Sequence, residues 1–475
     1  IMKRKMLFIV VGALFLYVLV FGVLIFSYKK EVSEQYRATH PVERFYSDEI
    51  GPDRAVLIDD PQDSAIVRVN MIETAQKTID ISYYSMESGK VTNTFWGLLL
   101  EAANRGVKVR VILDGIANGM KGDKREIMYA VKKHPNIQLK LYERINLWKP
   151  WTLHNRLHDK YIIVDGQIAV IGGRNISDRF MVPNGYKGDV TFDRDVVIYS
   201  NGRKDSVIHD LASYFNEVYN SQYAKDTVNQ LTKKQEKIAI EKMDELQKSL
   251  QKDRELEEYI FGKSIDWGEL SFPTNKITLI HNPIQRFMKE PWVWYEINQL
   301  FQSANESIFL QSPYIIPSKQ MMDGFFDDIQ NKGVELNVLT NSRASTPNYL
   351  AFSVYLNYRK KIVETGARVY EYHGEHSIHT KAYGTDDDMS LIGSFNLDPR
   401  SAFLSTETMV VIHSKDIKSQ LDNMTNDYEK KSLLIGKDYK YINNENSIEE
   451  RSVSKFKNIL LKIIGFCGRF FEFLL

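Results

Sequence analysis

The chain has 475 residues, 43% of them hydrophobic, which is enough for two domains of ordinary size with sizeable cores. Its 62 basic and 61 acidic residues almost cancel, which argues against a protein built for extended nucleic-acid binding. A single cysteine, Cys467, excludes an intramolecular disulfide.

The first predicted element is an apolar segment near the N-terminus. Leu7–Phe26 contains 20 uncharged, mostly apolar residues, the length that one helix needs to cross a bilayer core. We predict that residues 1–30 form an uncleaved, single-pass transmembrane anchor, since the apolar region of a cleaved signal peptide is usually shorter and ends in small residues. A weak excess of basic residues before the segment favours a cytoplasmic N-terminus, with the rest of the chain outside the cytoplasm. The flanking basic residues are Lys3, Arg4 and Lys5 on one side and Lys29 and Lys30 on the other.

A β-α-β pattern then occurs twice. Apolar stretches at residues 78–84 and 105–113 flank a helix-like segment, and those at 307–314 and 332–339 repeat the arrangement. Apolar strands separated by amphipathic helices predict an α/β fold in which each sheet is covered by helices on both faces. We expect two duplicated domains related by a pseudo-twofold axis, with a pocket at their shared boundary.

The segments outside the two repeats differ from them in composition. A stretch rich in Lys, Glu, Gln and Asp between the repeats predicts a long exposed helix that serves as a connector; a partner-binding coiled coil is the alternative. Near the C-terminus, apolar residues recur at helical spacing, which is compatible either with a helix in the headgroup layer of a membrane or with packing on the second domain. The predicted organisation is an anchor at residues 1–30, a linker at 31–62, a first domain at 63–222, the connector at 223–262, a second domain at 263–445 and an amphipathic tail at 446–475.

Each predicted domain contains the pattern H-x-K-x-x-x-x-D. In both copies an asparagine lies 17 residues past the histidine and an arginine a further four residues on. Such long matched spacings indicate one site assembled from two similar halves. The residues are His158, Lys160, Asp165, Asn175 and Arg179 in the first copy and His379, Lys381, Asp386, Asn396 and Arg400 in the second.

The spacing within the pattern has a structural meaning. On a β-strand, His158 and Lys160 point to the same face with about 6.6 Å of rise between them, so both can touch one phosphate group. Asp165 then begins a tight hairpin turn, and Asn175 emerges beyond the second strand, where it can point back at the same pocket. The sequence contains no cysteine pair and no carboxylate cluster at ligand spacing, so we expect no metal.

Histidine chemistry needs supporting groups. A neutral, oriented imidazole can act as a covalent nucleophile, and a carboxylate usually holds the ring. Glu407 and Asp195 lie on strand-like stretches and are the candidate orienting acids. The lysines and asparagines would surround phosphate oxygens with donors. Arg179 and Arg400 are either phosphate contacts or structural ion-pair partners.

These motifs resemble the two HKD motifs of the phospholipase D superfamily. The first half carries HDKYIIVD and GGRN, the second carries HTKAYGTD and GSFNLDPRS, and the match covers most of the chain from residue 63 to residue 445. The stretch IGSFNLDPRSAFLSTE is especially similar to bacterial cardiolipin synthases. The resemblance implies two phospholipase D-like domains, each a mixed β-sheet flanked by helices, in a protein of the bacterial inner membrane.

The resemblance also implies a reaction, a metal-independent phosphatidyl or phosphodiester transfer that uses no cofactor. By similarity to superfamily members, His158 is the nucleophile and His379 is the general acid and then the general base. The histidine, lysine and aspartate of each motif form the implied catalytic set. Asp165 and Asp386 are nevertheless more typical of turn and scaffold residues than of proton carriers.

The predicted function is cardiolipin synthesis, in which a phosphatidyl group on His158 passes to the hydroxyl of a second lipid. Phosphatidylglycerol is the expected donor or acceptor, and phosphatidylethanolamine is the alternative partner. Three alternative functions are also compatible with the sequence: a hydrolysing phospholipase D, a nuclease and an inactive membrane-tethered scaffold. The near-neutral charge and the anchor disfavour the nuclease, and the two intact motifs disfavour the scaffold.

Overall fold

The computed structural model describes residues 2–28, 30–200, 202–322, 332–442 and 448–475 of the chain. Lys29 and the side chain of Lys3, two of the basic residues that flank the apolar segment, lie outside the described residues. Over the described ranges the chain forms two nine-stranded sheets and one two-stranded sheet.

The strands fall into two matched sets. The first half contains β1 Arg54–Ile58, β2 Thr78–Tyr83, β3 Lys108–Asp114, β4 Ile137–Tyr142, β5 Lys160–Val164, β6 Ile168–Gly172, β7 Thr191–Phe192, β8 Asp195–Tyr199 and β9 Ala224–Asp226. The remaining strands are β10 Phe272–Pro273, β11 Lys276–His281, β12 Ser307–Gln311, β13 Glu335–Asn341, β14 Arg368–Tyr372, β15 Ser377–Ile378, β16 Ala382–Thr385, β17 Met389–Gly393, β18 Thr408–His413, β19 Ser432–Ile435 and β20 Tyr441–Ile442.

Both large sheets mix parallel and antiparallel strands in the same order. The first runs β10-β1-β8-β6-β5-β2-β3-β4-β9 and the second β11-β18-β17-β16-β12-β13-β14-β19-β20. In each sheet the three β-α-β strands are parallel, whereas the two strands of the motif hairpin are antiparallel. The predicted fold, a mixed α/β architecture with two repeats, is confirmed.

Helices cover both sheets, because the central strands are apolar on both faces; all five residues of β5 and of β6 are buried. The helices are α1 Met2–Gly22, α2 Glu34–Thr39, α3 Pro61–Thr74, α4 Lys90–Asn104, α5 Arg125–Lys133, α6 Asp178–Met181, α7 Val207–Asn220, α8 Lys233–Leu256, α9 Trp267–Leu270, α10 Trp292–Ser303, α11 Lys319–Met322, α12 Tyr349–Glu364, α13 Pro399–Phe403, α14 Lys415–Glu429 and α15 Lys455–Gly468.

The two sheets share a hydrophobic core. Buried residues of β1, β5, β6 and β8 pack with buried residues of β11, β17 and β18, and α7 and α14 complete this cluster. One face of each sheet is therefore buried against the other half of the chain. This packing brings the strands that carry the two motifs to a common boundary.

Several segments differ from the predicted domain organisation. β1 lies in the predicted linker, yet it pairs with β8 inside the first sheet. β9 and β10, which fall in the predicted connector and second domain, form the two edges of the same sheet. The connector itself forms α8, but Leu246 and Leu250 are buried and reach Gly97 of α4, so the helix is not fully exposed.

The N-terminal apolar segment forms a helical stretch, Arg4–Phe26, that is long and apolar enough to cross a membrane and is only 6% buried. Its C-terminal end contacts the rest of the protein. The hydroxyl of Tyr17 donates to the carbonyl of Trp148 at 2.8 Å, and Nε2 of His154 lies 2.7 Å from the carbonyl oxygen of Gly22. The helix is therefore joined to the first half near residues 148–154.

Candidate active site

The two motif histidines meet in one cavity at the boundary between the halves. The cavity has a volume of about 520 Å³ and is lined by residues of both halves, including His158 and His379. His158 precedes β5 and His379 precedes β16, which occupy equivalent positions in the two sheets. The shared core between the sheets thus assembles the single site that the duplicated pattern predicted.

His158 is held by a carboxylate from the other half. Its Nδ1 lies 2.8 Å and 3.0 Å from the two carboxylate oxygens of Glu407, which directly precedes β18. Its backbone N–H donates to Oγ1 of Thr406 at 3.0 Å, and Ser394 donates its hydroxyl to Glu407. In the tautomer whose Nδ1–H donates to this carboxylate, Nε2 keeps a lone pair for a substrate.

His379 is held in the same way by a carboxylate of the first half. Its Nδ1 lies 2.6 Å from Oδ2 of Asp193, and its backbone N–H donates to the carbonyl of Phe192 at 2.6 Å. Each half therefore supplies one histidine and the carboxylate that orients the other half's histidine. Neither half contains a complete set by itself.

Asp195, the acid predicted to orient His379, has a different role, and that prediction was wrong. Its carboxylate accepts hydrogen bonds from Arg68 and Arg174, each at 2.9 Å, and from Ser64 at 2.8 Å. All of these groups are buried. Asp195 balances the buried guanidinium groups of Arg68 and Arg174, and among the described residues it forms no hydrogen bond or ion pair with His379.

The error was one of register along the strand. The sheets pair Gly172 with Asp195 in the first half but the equivalent Gly393 with Met409 in the second. Glu407 stands two residues before Met409, so its counterpart stands two residues before Asp195, which is Asp193. The sequence carried this signal, because both acids precede a Val-Val-Ile triplet by the same distance.

The two motif lysines are buried beside the histidines. Lys160 donates to the carbonyl of His158 at 2.6 Å, and Lys381 donates to the carbonyl of His379. Burial lowers the pKa of Lys160 to about 8 and that of Lys381 to about 7, although nearby carboxylates act in the opposite direction. Each ammonium group has further N–H donors, but both lysines lie behind the histidines and neither is among the residues that line the cavity.

The two motif asparagines line the same cavity from the loops after β6 and β17. Asn175 and Asn396 are nearly fully buried, and in the described part of the chain neither side-chain carbonyl has a hydrogen-bond partner. A buried amide without a protein partner needs one from a ligand or solvent. The unpartnered atoms are acceptors, so they fit a donor such as a substrate hydroxyl group or water, whereas the amide N–H groups are the atoms that could donate to phosphate oxygens.

Asp165 and Asp386 lie at the far ends of β5 and β16, away from the histidines. The carboxylate of Asp165 accepts the backbone N–H groups of residues 76–78 at 2.7–2.8 Å, and Asp386 does the same for residues 305–307 at 2.8–3.1 Å. Both have positive φ, 55° and 49°, as tight turns require. These contacts favour the scaffold interpretation over membership of the catalytic set.

Arg179 and Arg400 border the cavity in different ways. Arg179 forms an ion pair with Glu87 at 2.7 Å. The Arg400 side chain donates to the carbonyl of His154 at 3.3 Å and to that of Leu474, its backbone N–H donates to Leu475 at 2.6 Å, and among the described residues no Asp or Glu side chain forms an ion pair with it. The structural alternative therefore fits Arg179, whereas Arg400 brings a positive charge to the cavity.

Two aromatic residues that sequence reasoning missed pack on the histidines. The ring of Tyr84 lies 5.1 Å from that of His158, and the ring of Phe180 lies 5.4 Å from that of His379, centroid to centroid. Tyr84 directly follows β2, and this position at the end of a predicted strand could have marked it as a residue of the site. Phe180 lies on the four-residue helix α6, which has no periodicity that could have marked it.

The cavity favours neutral imidazoles. Burial and the adjacent lysines lower the pKa of His158 well below its usual value and that of His379 to about 3. Burial raises the pKa of Glu407 to about 8, whereas Lys381 and His379 outweigh burial and hold the pKa of Asp193 below its usual range. A neutral nucleophile is therefore available. A bound phosphodiester would bring negative charge and raise the pKa of both histidines, which a general acid requires.

The comparison with protein families agrees with this geometry. A family described as "Cardiolipin synthase, PLD-like domain" matches residues 69–219 and 297–428, more than half of the chain. Each matched segment contains one of the two motifs. Among the described residues, no group of three or more His, Cys, Asp or Glu side chains is placed to hold a metal ion.

Individual relatives cover most of the chain. An "Uncharacterized protein" of Helicobacter pylori strain J99 is 29% identical over 80% of this chain and 80% of its own length. "Cardiolipin synthase C" of Escherichia coli K12 is 27% identical over 76% of this chain and 81% of its own length. The crystal structure of phosphatidylserine synthase from Haemophilus influenzae covers 89% of this chain and 95% of its own, with a TM-score of 0.62 and 13% identity, which shows a shared fold.

Proposed function

Because the chain belongs to the family described as cardiolipin synthase, PLD-like domain, we propose that it is a phosphatidyltransferase that makes cardiolipin. Phosphatidylglycerol is the proposed donor, and a second molecule of phosphatidylglycerol is the acceptor, with phosphatidylethanolamine as the alternative partner. The observation that carries the proposal is the pair of reciprocally held histidines in one cavity, His158 on Glu407 and His379 on Asp193.

The proposed first step forms a covalent intermediate. Nε2 of His158 attacks the phosphorus of the donor, the bond from phosphorus to the headgroup oxygen breaks, and His379 gives that oxygen a proton. Glu407 stabilises the positive charge that grows on the His158 ring. Lysine and asparagine donors balance the charge on the phosphate oxygens, a task that a metal ion performs in other phosphodiesterases.

The second step reverses the first with a different alcohol. His379, now neutral, takes the proton from the hydroxyl of the acceptor lipid, whose oxygen attacks phosphorus while the bond to His158 breaks. If water attacked instead, the product would be phosphatidic acid. Transfer therefore requires a cavity that admits a lipid hydroxyl in preference to water.

The experiment that tests this function is lipid mass spectrometry on purified protein in detergent mixed with phosphatidylglycerol, with and without phosphatidylethanolamine. We expect cardiolipin from the wild type and none from His158→Ala. Phosphatidic acid as the sole product would replace the transferase with a hydrolase. If the folded protein formed no lipid product, its substrate would be a phosphodiester other than these lipids.

We further propose that α1 spans the bacterial inner membrane once and that the catalytic halves lie outside the cytoplasm. The supporting observations are its length, its apolar composition and its low burial. Reporter enzymes fused after Lys30 and at the C-terminus test the orientation. Activity of a periplasmic reporter at both positions is expected, and activity of a cytoplasmic reporter alone would reverse the orientation.

A further inference from the structure

Apolar side chains from three separate elements converge on the mouth of the cavity. Leu153 comes from the turn Pro150–Leu153, Leu350 from the first turn of α12, and Leu474 and Leu475 from the segment after α15. All four line the cavity that holds the histidines. Leu153 and Leu350 are also 43% and 47% exposed to the outside.

The tail helix α15 has two apolar faces with different neighbours. On one face, Leu461, Gly465 and Gly468 are buried against α12, and Asn357 of α12 donates to the carbonyl of Gly465 at 3.0 Å. The second alternative from the sequence, packing on the second domain, is therefore observed. The other face consists of large side chains that are 57–75% exposed, namely Phe456, Ile459, Ile463 and Phe466 of the helix, and Phe470 in the turn that follows it continues the set.

The exposed face has the charge pattern of a helix at a lipid surface. Its apolar residues are spaced three or four apart, so they form one stripe along the helix. Lys455, Lys462 and Arg469 lie along one border of that stripe at the same helical spacing. Long basic side chains at such a border reach the phosphates of lipid headgroups while the apolar side chains enter the acyl region.

The same surface continues to the membrane-spanning helix. Leu147 and Trp148 are 86% and 79% exposed, and they belong to the segment on which the end of α1 packs. In addition to the bond from Tyr17 to Trp148, the ring of Phe21 lies 6.3 Å from that of Trp151. Helix α1 therefore leaves the body of the protein beside the mouth of the cavity.

We propose that these residues form one membrane face that rests in the outer layer of the bilayer that α1 spans, so that the cavity opens directly to lipid. The membrane face consists of Leu147, Trp148, Leu153, Leu350, Phe456, Ile459, Ile463, Phe466 and Phe470. Single exposed apolar residues are ordinary, but here two exposed leucines line the cavity and the other exposed apolar side chains lie on the elements that pack beside it. A bilayer is the occupant because the surface adjoins α1 and carries basic residues along its border. Substrates then enter sideways from the leaflet, a route that goes beyond the reaction proposed above.

The only cysteine of the chain provides the test. Cys467 is exposed and lies between the apolar positions of α15, within the stripe. The full chain is labelled at Cys467 with an environment-sensitive fluorophore and placed in nanodiscs of phosphatidylglycerol and phosphatidylcholine. We expect quenching by lipids that carry a nitroxide on the upper acyl chain and protection from iodide in the water.

Two further labelling sites complete the design, both in a Cys467→Ser background. Trp148→Cys tests the second part of the membrane face and is expected to behave like Cys467. Lys237→Cys is the matched control, since the Lys237 side chain is 80% exposed on the polar side of α8 and its label should be quenched by iodide alone.

Three results would overturn the proposal. Iodide quenching at Cys467 would mean that the tail helix faces water, and protection from both quenchers would mean that protein, such as a second copy of the chain, covers it. Lipid quenching at Cys467 together with iodide quenching at Trp148→Cys would mean that the tail helix contacts lipid while the segment beside the cavity faces water. The labels report the position of each residue and do not require catalysis. The same quenching pattern in His158→Ala would therefore support the membrane face whether or not the proposed reaction is correct.

Discussion

Nδ1 of each histidine in the candidate site contacts a carboxylate of the opposite half. Individual residues decide which carboxylate makes this contact. Asp193 lies just before β8 and Asp195 is the first residue of that strand, and both are buried carboxylates. They nevertheless contact different partners, His379 for the first and two arginines for the second. Two acids only two positions apart therefore have different roles, one orienting a histidine and the other balancing buried arginines.

Replacing the orienting carboxylates should affect the chemical step. We expect Asp193→Asn and Glu407→Gln to lower kcat by about 10²–10⁴-fold, because an amide neither fixes the tautomer nor stabilises a charged imidazole. The matched change Asp195→Asn should lower the Tm instead, since it leaves two buried guanidinium groups without their anion. Steady-state rates and thermal melts of the three variants distinguish these outcomes. An unchanged Tm together with an equal loss of kcat in Asp195→Asn would restore Asp195 to the site.

The lysines predict a pH dependence of definite sign. A lowered pKa means that the charge is present below that pKa and is lost above it, so kcat/KM should fall as the pH rises through 7 to 8, the range of Lys381 and Lys160. The fall in kcat should come at higher pH, because bound phosphate favours the charged ammonium groups.

The control for this profile is Lys381→Arg, which keeps its charge throughout that range. Its rate is expected to be lower because the guanidinium does not fit the site, but the part of the fall due to Lys381 should disappear. A wild-type kcat/KM that stays flat from about pH 6 to pH 9 would contradict the assignment of charged lysines to phosphate binding.

At the scale of elements, the motif hairpins are tied to the β-α-β units by their aspartates. Asp165 holds the start of β2, and Asp386 holds the start of β12, each through three consecutive backbone N–H groups. These contacts fix the register between the hairpin and its neighbouring strand. The motif histidine at the other end of the same strand is positioned as a consequence.

Replacing either aspartate should therefore lower the free energy of unfolding and leave the rate of the chemical step unchanged. We expect Asp165→Ala and Asp386→Ala each to lower the free energy of unfolding by about 1–3 kcal/mol, the usual cost of unpaired backbone groups, with kcat of the folded protein little changed. Thermal melts and rates per folded molecule check this. Asp205→Ala, which removes an exposed aspartate paired with Arg203, is the control and should change neither quantity. A large loss of kcat without loss of stability would return Asp165 to the catalytic set.

The duplicated hairpins, the parallel β-α-β units and the meeting of the two motifs could be predicted because each rests on long, repeated patterns. β1, β9 and β10 could not, since strands of two to five residues carry too little periodicity, and their pairing is decided by the edges available in the folded sheet. Asp193 was missed although Glu407 was found, because a second aspartate, Asp195, directly precedes the same Val-Val-Ile triplet. Phe180 had no sequence signal, as its contact with His379 depends on the packing of α6.

At the scale of the whole molecule, the site exists only while both sheets share their core. The cavity, the reciprocal carboxylates and the lysines all come from the boundary between the halves, and α1 and α15 place apolar residues beside that same boundary. A duplicated domain thus produces a single cavity that one histidine from each half lines. The family and the fold fit this arrangement.

The central claim, one histidine from each half acting on one phosphorus, is tested most directly by trapping the intermediate. Phosphatidyl-p-nitrophenol needs no protonated leaving group, so His379→Ala should release a burst of one nitrophenolate per protein and then stall, with the phosphatidyl group found on His158 by peptide mass spectrometry. His158→Ala should release none. A burst from His158→Ala with the adduct on His379 would exchange the two roles, and the absence of an adduct from both variants would contradict a covalent mechanism at this site.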